Sequence, residues 1–168
     1  MPSFIGWVPT PPEHIDGFFE LVQLTPSDVV YDLGSGDGRL LFAALEKGAA
    51  KAVGVDLDVE LVKTAAETAK SKGLQDKVTF LQADVMEVSL ADASVVFCYL
   101  ISQASAALRP KFESELKKGT RVVMESFPVP GWKPVQTIYK DYKQFYLYVM
   151  PPEITGEAPA DYTYMDYF

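Results

Sequence analysis

Cysteine and histidine are almost missing from this chain of 168 residues, which carries one of each, Cys98 and His14. A single cysteine excludes a disulfide framework within the chain and any cysteine-based metal cluster. Cys98 also stands in the apolar run Val95-Val96-Phe97-Cys98-Tyr99-Leu100, where packing is its expected use. His14 falls in the first amphipathic segment, where a solvated position is expected, so a histidine general base and a metal site are both unexpected. Basic residues are outnumbered, 15 against 23 acidic, for a formal charge of −8. Such a surface repels polyphosphates and attracts cations, which argues against nucleic acid as a partner. No uninterrupted apolar window approaches the roughly 18 residues of a membrane span. With no basic-then-apolar segment at the N-terminus either, neither a span nor a signal peptide is expected, and the expected location is cytoplasmic. There are no internal repeats, and 168 residues are about one domain, with no room for a separate substrate domain.

What is present begins with Val29-Val30-Tyr31-Asp32-Leu33-Gly34-Ser35-Gly36-Asp37-Gly38-Arg39, a buried strand, a glycine-rich turn and a helix start. Gly34 and Gly36 allow a sharp turn close to a ligand, and Gly38 allows the helix to pack on the strand. That spacing alone also fits a phosphate-binding loop. A second apolar strand, Ala52-Val53-Gly54-Val55-Asp56, ends in a carboxylate about 20 residues on, placed for two ribose hydroxyls. A third, Val78-Thr79-Phe80-Leu81-Gln82-Ala83-Asp84, ends in another acid that can accept from an adenine amine. Any one of these acids alone reads as a cap or turn residue; together their order points to a cofactor containing adenosine.

The remaining pattern predicts an amphipathic helix from Glu13 to about Leu24, strands at Asp28 to Leu33, Lys51 to Asp56, Lys77 to Gln82, Ala93 to Leu100 and Thr120 to Glu125, and helices at Gly38 to Lys47 and Asp58 to Lys72. Ser102 to Lys117 reads as a helical region broken near Arg109-Pro110. This alternation is that of an α/β, Rossmann-like doubly wound parallel sheet. Val135 to Tyr139 and Gln144 to Met150 then form a terminal antiparallel hairpin around Lys140-Asp141-Tyr142-Lys143. Residues 1–150 make the domain, and 151–168, rich in Pro, Tyr and acids, are expected to be an extended, disordered or loosely packed tail.

Three strands closing on Asp32, Asp56 and Asp84, with the terminal hairpin, resemble the class I S-adenosylmethionine-dependent methyltransferases. The resemblance implies loop amides facing the methionine carboxylate, Asp32 on its ammonium, Asp56 on the ribose hydroxyls by charge-assisted bonds, Asp84 near adenine, and Leu57, Val85 and Met86 sandwiching the base. Two further stretches, Trp7-Val8-Pro9-Thr10-Pro11 and Arg121-Val122-Val123-Met124-Glu125-Ser126-Phe127-Pro128-Val129-Pro130-Gly131-Trp132, are similar to those of the small seven-β-strand protein lysine methyltransferases. That group holds archaeal broad-specificity enzymes and enzymes acting on the ATP synthase c subunit; its mitochondrial members carry a hydrophobic N-terminal anchor not seen in this sequence.

Carried over by position, the resemblance puts Thr10, Gly34, Ser35, Gly36 and Asp37 around the methionine end and Tyr99 beside the methyl group, and makes Trp132 a candidate substrate contact. Packing against Pro128 and Pro130 is the alternative for Trp132, a simple turn for Thr10, and a solvated strand end for Glu125. The implied reaction is direct in-line methyl transfer to a lysine ε-amine of a protein, leaving S-adenosylhomocysteine, with an aromatic channel that includes Tyr99 disfavouring the ammonium and water taking the proton. A small-molecule methyltransferase, a non-catalytic S-adenosylmethionine-binding module and a nicotinamide-dependent oxidoreductase are the other readings.

Overall fold

The computed structural model describes residues 12–99 and 104–157. In chain order the elements are α1 (Pro12–Leu21), β1 (Val29–Leu33), α2 (Arg39–Glu46), β2 (Lys51–Asp56), α3 (Val59–Ser71), β3 (Val78–Gln82), β4 (Val95–Cys98), α4 (Ala104–Glu115), β5 (Arg121–Glu125), β6 (Trp132–Lys133), β7 (Gln136–Lys140), β8 (Lys143–Val149) and β9 (Glu153–Ile154). Seven strands form one sheet in the order β3-β2-β1-β4-β5-β8-β7. β1 to β5 pair in parallel, whereas β8 runs antiparallel to both β5 and β7. This is the class I methyltransferase topology that the resemblance implies.

Successive side chains of a strand point to opposite faces, and the core divides accordingly. Val30, Val95, Phe97, Val123, Phe145 and Leu147 join α1 and α2 on one face. Tyr31, Leu33, Val96, Cys98, Val122, Met124 and Tyr148 join Leu108, Phe112 and Leu116 of the α4 segment on the other. On the first face Phe18 of α1 lies 4.7 Å from the Phe97 ring and 5.3 Å from that of Phe145. All three are fully buried, at roughly 1.5–3 kcal/mol each, so α1 is fixed across β4 and β8. Gly17 permits the approach, because a Cβ there would fall 2.5 Å from the Phe145 ring.

The structure departs from the sequence pattern in two places. Pro110 lies inside α4, which continues through it. The lost hydrogen bond is outweighed by burial of Leu108 and Phe112 on either side and accompanied by the ion pairs Arg109–Glu113 and Lys111–Glu115. The second departure is at residue 151 onward: Glu153 and Ile154 pair with Lys133 and Trp132, so the start of the supposed loose tail is held. A two-residue strand has no periodicity to read. Residues 158–168 lie outside the described residues. The hairpin turn narrows to Asp141 and Tyr142, with φ of 49° and 66°, the doubly positive geometry that matches the twist of a two-residue hairpin.

Candidate active site

At the end of β1 the chain turns through three glycines with positive φ, Gly34 (91°), Gly36 (55°) and Gly38 (83°), a conformation that costs glycine little. The Gly34 and Ser35 amides both donate to the Val55 carbonyl of β2, at 2.8 and 3.0 Å. The Gly36 amide donates to Asp56 Oδ2 at 2.9 Å, and the Asp58 amide to Asp56 Oδ1 at 3.0 Å. Asp56 is thereby fixed in orientation, while each oxygen keeps a lone pair for a ligand. Space also demands a small residue at Gly54 and again at Gly38. A Cβ on Gly54 would fall 2.6 Å from Ser35 Oγ and 2.7 Å from Phe80, and one on Gly38 would fall 2.5 Å from the Phe80 ring. Phe80 thus braces the loop from β3, a role the sequence pattern did not expose, although a glycine inside a strand is a sign of close approach.

Acidic side chains outnumber basic ones at this loop. Asp32 is 4% exposed, and burial, then the charges of Asp56 and Asp37, push its carboxyl up to about 8. Burial also acts on Asp37, but hydrogen bonds from Arg39 outweigh it and hold that carboxyl below its usual range; the pair is 2.7 Å apart. Among the described residues no cation or donor offsets the burial of Asp32. A buried carboxyl with acidic neighbours calls for a cationic ligand, and an amino-acid ammonium is such a group. The residues therefore fit the methionine end of S-adenosylmethionine.

At the ends of β2 and β3, Asp56 is in register with Gln82, and Asp84 follows two residues later. Asp84 Oδ1 accepts from the Met86 amide at 2.9 Å. Val85 is buried beside it, and Leu57 is 53% exposed, an apolar surface that a base could cover. Asp32, Gly34, Ser35, Gly36, Asp37, Asp56, Leu57, Asp84 and Val85 are thus gathered along the C-terminal ends of β1, β2 and β3, the usual ligand edge of an open α/β sheet.

Tyr99 and Glu125 stand farther along the same edge. The register Leu33↔Cys98 and Cys98↔Met124 brings Tyr99, just after β4, beside Glu125 at the end of β5. By strand alternation both share the α1 face with Asp32, and Tyr99 packs on that core. Burial, then the charge of Glu125, pushes the Tyr99 hydroxyl up. Glu125 is 1% exposed, which corrects its reading as a solvated strand end. Its burial follows from pairing with Phe145 of β8. Burial pushes its carboxyl up to about 7 against the opposing charge of Lys143. The next residue, Ser126, has φ of 69°, with Phe127 donating across it to the Glu125 carbonyl at 2.8 Å; non-glycine residues hold such turns at a cost. Cys98 is buried and its thiol is pushed far up, by burial and by Asp32, so it is no nucleophile.

Trp132 is not brought to this group. It is 4% exposed, lies between Phe112 and Tyr148, and donates through Nε1 to Glu113 of α4 at 2.9 Å. Its surroundings are those of a core residue rather than a substrate wall. Thr10 lies outside the described residues.

Known proteins share both this pattern and this fold. Residues 32–136 match the ANTKMT methyltransferase domain family. A protein-lysine N-methyltransferase of Saccharolobus islandicus is 36% identical over 135 residues, 80% of this chain and 84% of that protein. The mouse adenine nucleotide translocase lysine N-methyltransferase is 31% identical over 93% of this chain, which spans 66% of that longer protein. The ATP synthase c-subunit lysine N-methyltransferase of the rat is 32% identical over 79% of this chain, here spanning 61% of the relative. A crystal structure from Salinibacter ruber, described as an RNA methyltransferase with S-adenosyl-L-homocysteine, superimposes with a TM-score of 0.84 at 38% identity, covering 90% of this chain and 99% of that one.

Proposed function

We propose that this chain, which belongs to the ANTKMT methyltransferase family, moves the methyl group of S-adenosylmethionine to the ε-amine of a lysine in a protein. The observation that carries the donor half is the buried, cation-seeking Asp32 at the mouth of the glycine loop. In this reading Asp32 receives the methionine ammonium at the end of the glycine loop, Asp37 lies at the methionine end, Asp56 takes the ribose hydroxyls, and Asp84 with Leu57 and Val85 holds adenine; the Gly34, Ser35 and Gly36 amides, taken by Val55 and Asp56, shape the loop instead of binding the methionine carboxylate as the resemblance implied. The bound donor supplies an electrophilic methyl on a sulfonium, and the protein's task is to align an amine with it. Tyr99 borders the methyl and keeps water from the reacting atoms.

The lysine acceptor is supported by the archaeal relative, of which this chain covers 84%, and by a net charge of −8, which draws basic proteins. Transfer to RNA is a second reading, favoured by the description of the Salinibacter structure and opposed by that same charge. The deciding experiment offers labelled S-adenosylmethionine, a mixture of lysine-rich proteins and total RNA to the protein in one vessel. Label recovered as ε-N-methyllysine supports the proposal; label confined to nucleosides replaces it with the second reading.

A further inference from the structure

A lysine side chain has an ordinary pKa of about 10.4, so near pH 7 only about one molecule in a few thousand offers a free lone pair. Something must take the proton. Water serves if nothing better is at hand, but the same edge of the sheet holds a carboxyl, Glu125, to which the reading above gives no part in holding the cofactor. Glu125 ends β5 one strand from β4 and two from β1, on the same face as Asp32 and Tyr99. Its side chain is almost wholly enclosed. The strained turn at Ser126 sits directly behind it, and the Ser126 hydroxyl is itself buried with no partner among the described residues. Strain and an orphaned hydroxyl beside a buried acid are costs that packing alone does not require.

We propose that Glu125 receives the ammonium of the target lysine and takes its proton, with Tyr99 forming the wall beside it; this rests on the lysine reading above. The proton passes from the lysine nitrogen to a Glu125 carboxylate oxygen, and the N–H bonding pair stays on nitrogen as the nucleophile. After transfer the neutral carboxylic acid gives the proton to water. Tyr99 after β4, whose hydroxyl feels the charge of Glu125, and Lys143 of β8, which draws the Glu125 carboxyl down without overcoming burial, are among the groups that face it. Asp16 and Glu20 of α1 act on Lys140 instead. A group poised near neutrality can accept a proton and release it again within one cycle.

The test compares wild type with Glu125→Gln and Glu125→Asp. Both variants are expected to bind S-adenosylmethionine within about twofold of wild type by calorimetry, while methyl-lysine formation on the lysine-rich protein mixture falls about 100-fold in Glu125→Gln, the lower end of the range for general acid–base catalysis. In wild type kcat/KM should rise through an inflection near pH 7; Glu125→Gln should lack it, and Glu125→Asp should recover part of the rate with the inflection moved. The readout that does not depend on turnover is n-butylamine titrated into the protein carrying S-adenosylhomocysteine, which should bind at least about tenfold more weakly to Glu125→Gln. A Glu125→Gln protein that transfers methyl within threefold of wild type with its inflection intact, or that binds n-butylamine as wild type does, overturns the inference. If wild type labels no lysine, the acceptor reading has failed by itself, and the n-butylamine titration still decides whether Glu125 forms an amine site. If Glu125→Gln does not fold, an unmoved inflection in Glu125→Asp overturns the inference and a displaced one sustains it.

Discussion

Burying a carboxyl among other carboxyls costs free energy, and the cost at Asp32 is visible in its pKa, raised by burial and by Asp56 and Asp37 to about 8. A folded-state value above that of the unfolded chain means that the folded form binds the extra proton between about pH 4 and 8. Stability of the ligand-free protein should therefore be unaffected by this group below about pH 4 and fall as pH rises through that window. At about 1.4 kcal/mol per pKa unit, the cost is on the order of a few kcal/mol. Asp32→Asn removes it, so at pH 8 the variant should melt several degrees above wild type, whereas near pH 4 the two melts should converge. The same change should weaken S-adenosylmethionine at least tenfold. Melting curves at the two pH values and a binding titration check both halves; a variant that is less stable at pH 8 would contradict the assignment. The glycine loop and its acids were legible because the turn demands particular residue types at particular spacings. Glu125 was not, since an acid at a strand end reads identically whether water or Phe145 of a returning strand lies beside it.

Among elements, the end of the sheet opposite the site is tied by Asp28. Its Oδ1 accepts from Ser94 Oγ at 2.8 Å and from Arg121 at 2.5 Å, and its Oδ2 from the Thr25 amide at 2.8 Å. Burial alone would raise its carboxyl, but Arg121 and Ser94 lead the partners that bring it below its ordinary value. This contribution is present above the unfolded pKa and is lost as pH falls through the folded one. Asp28→Ala severs ties among β1, β4 and β5 and should cost roughly 3 kcal/mol, or about 6–12 °C in Tm for a chain of this size, while leaving S-adenosylmethionine affinity unchanged. Trp132→Phe decides between the two readings of Trp132, packing and substrate contact. It keeps the ring between Phe112 and Tyr148 but drops the bond to Glu113, so about 1 kcal/mol of stability should go and methyl transfer by the folded protein should stay. A selective rise in KM for the acceptor would restore Trp132 to the substrate site. An aromatic between prolines carries no local mark of its partner, and only the packing of α4 across β5 and β8 brings Glu113 to its indole. The helix through Pro110 was likewise illegible, because its support comes from buried neighbours rather than from propensity.

For the molecule as a whole, alternating strands and helices with glycine punctuation were enough to give the doubly wound sheet and its antiparallel closure. The β6–β9 bridge escaped because two residues make no period. Charge is the other whole-molecule property. A net −8 should speed encounter with basic proteins, so kcat/KM on a lysine-rich substrate is expected to fall several-fold between about 50 and 300 mM salt as screening sets in, and a flat salt profile in stopped-time assays would remove steering from the account. The central claim is that a buried, proton-bearing Asp32 is the seat of the donor's ammonium. It is tested most directly by calorimetric titration of wild type and Asp32→Asn with S-adenosylmethionine at pH 7, in two buffers of different ionisation enthalpy. Wild type is expected to bind one donor and release protons as Asp32 ionises against the ammonium, giving heats that differ between buffers, whereas Asp32→Asn should bind at least tenfold more weakly and release none. Equal affinities with buffer-independent heats, or no binding by wild type at all, would contradict it.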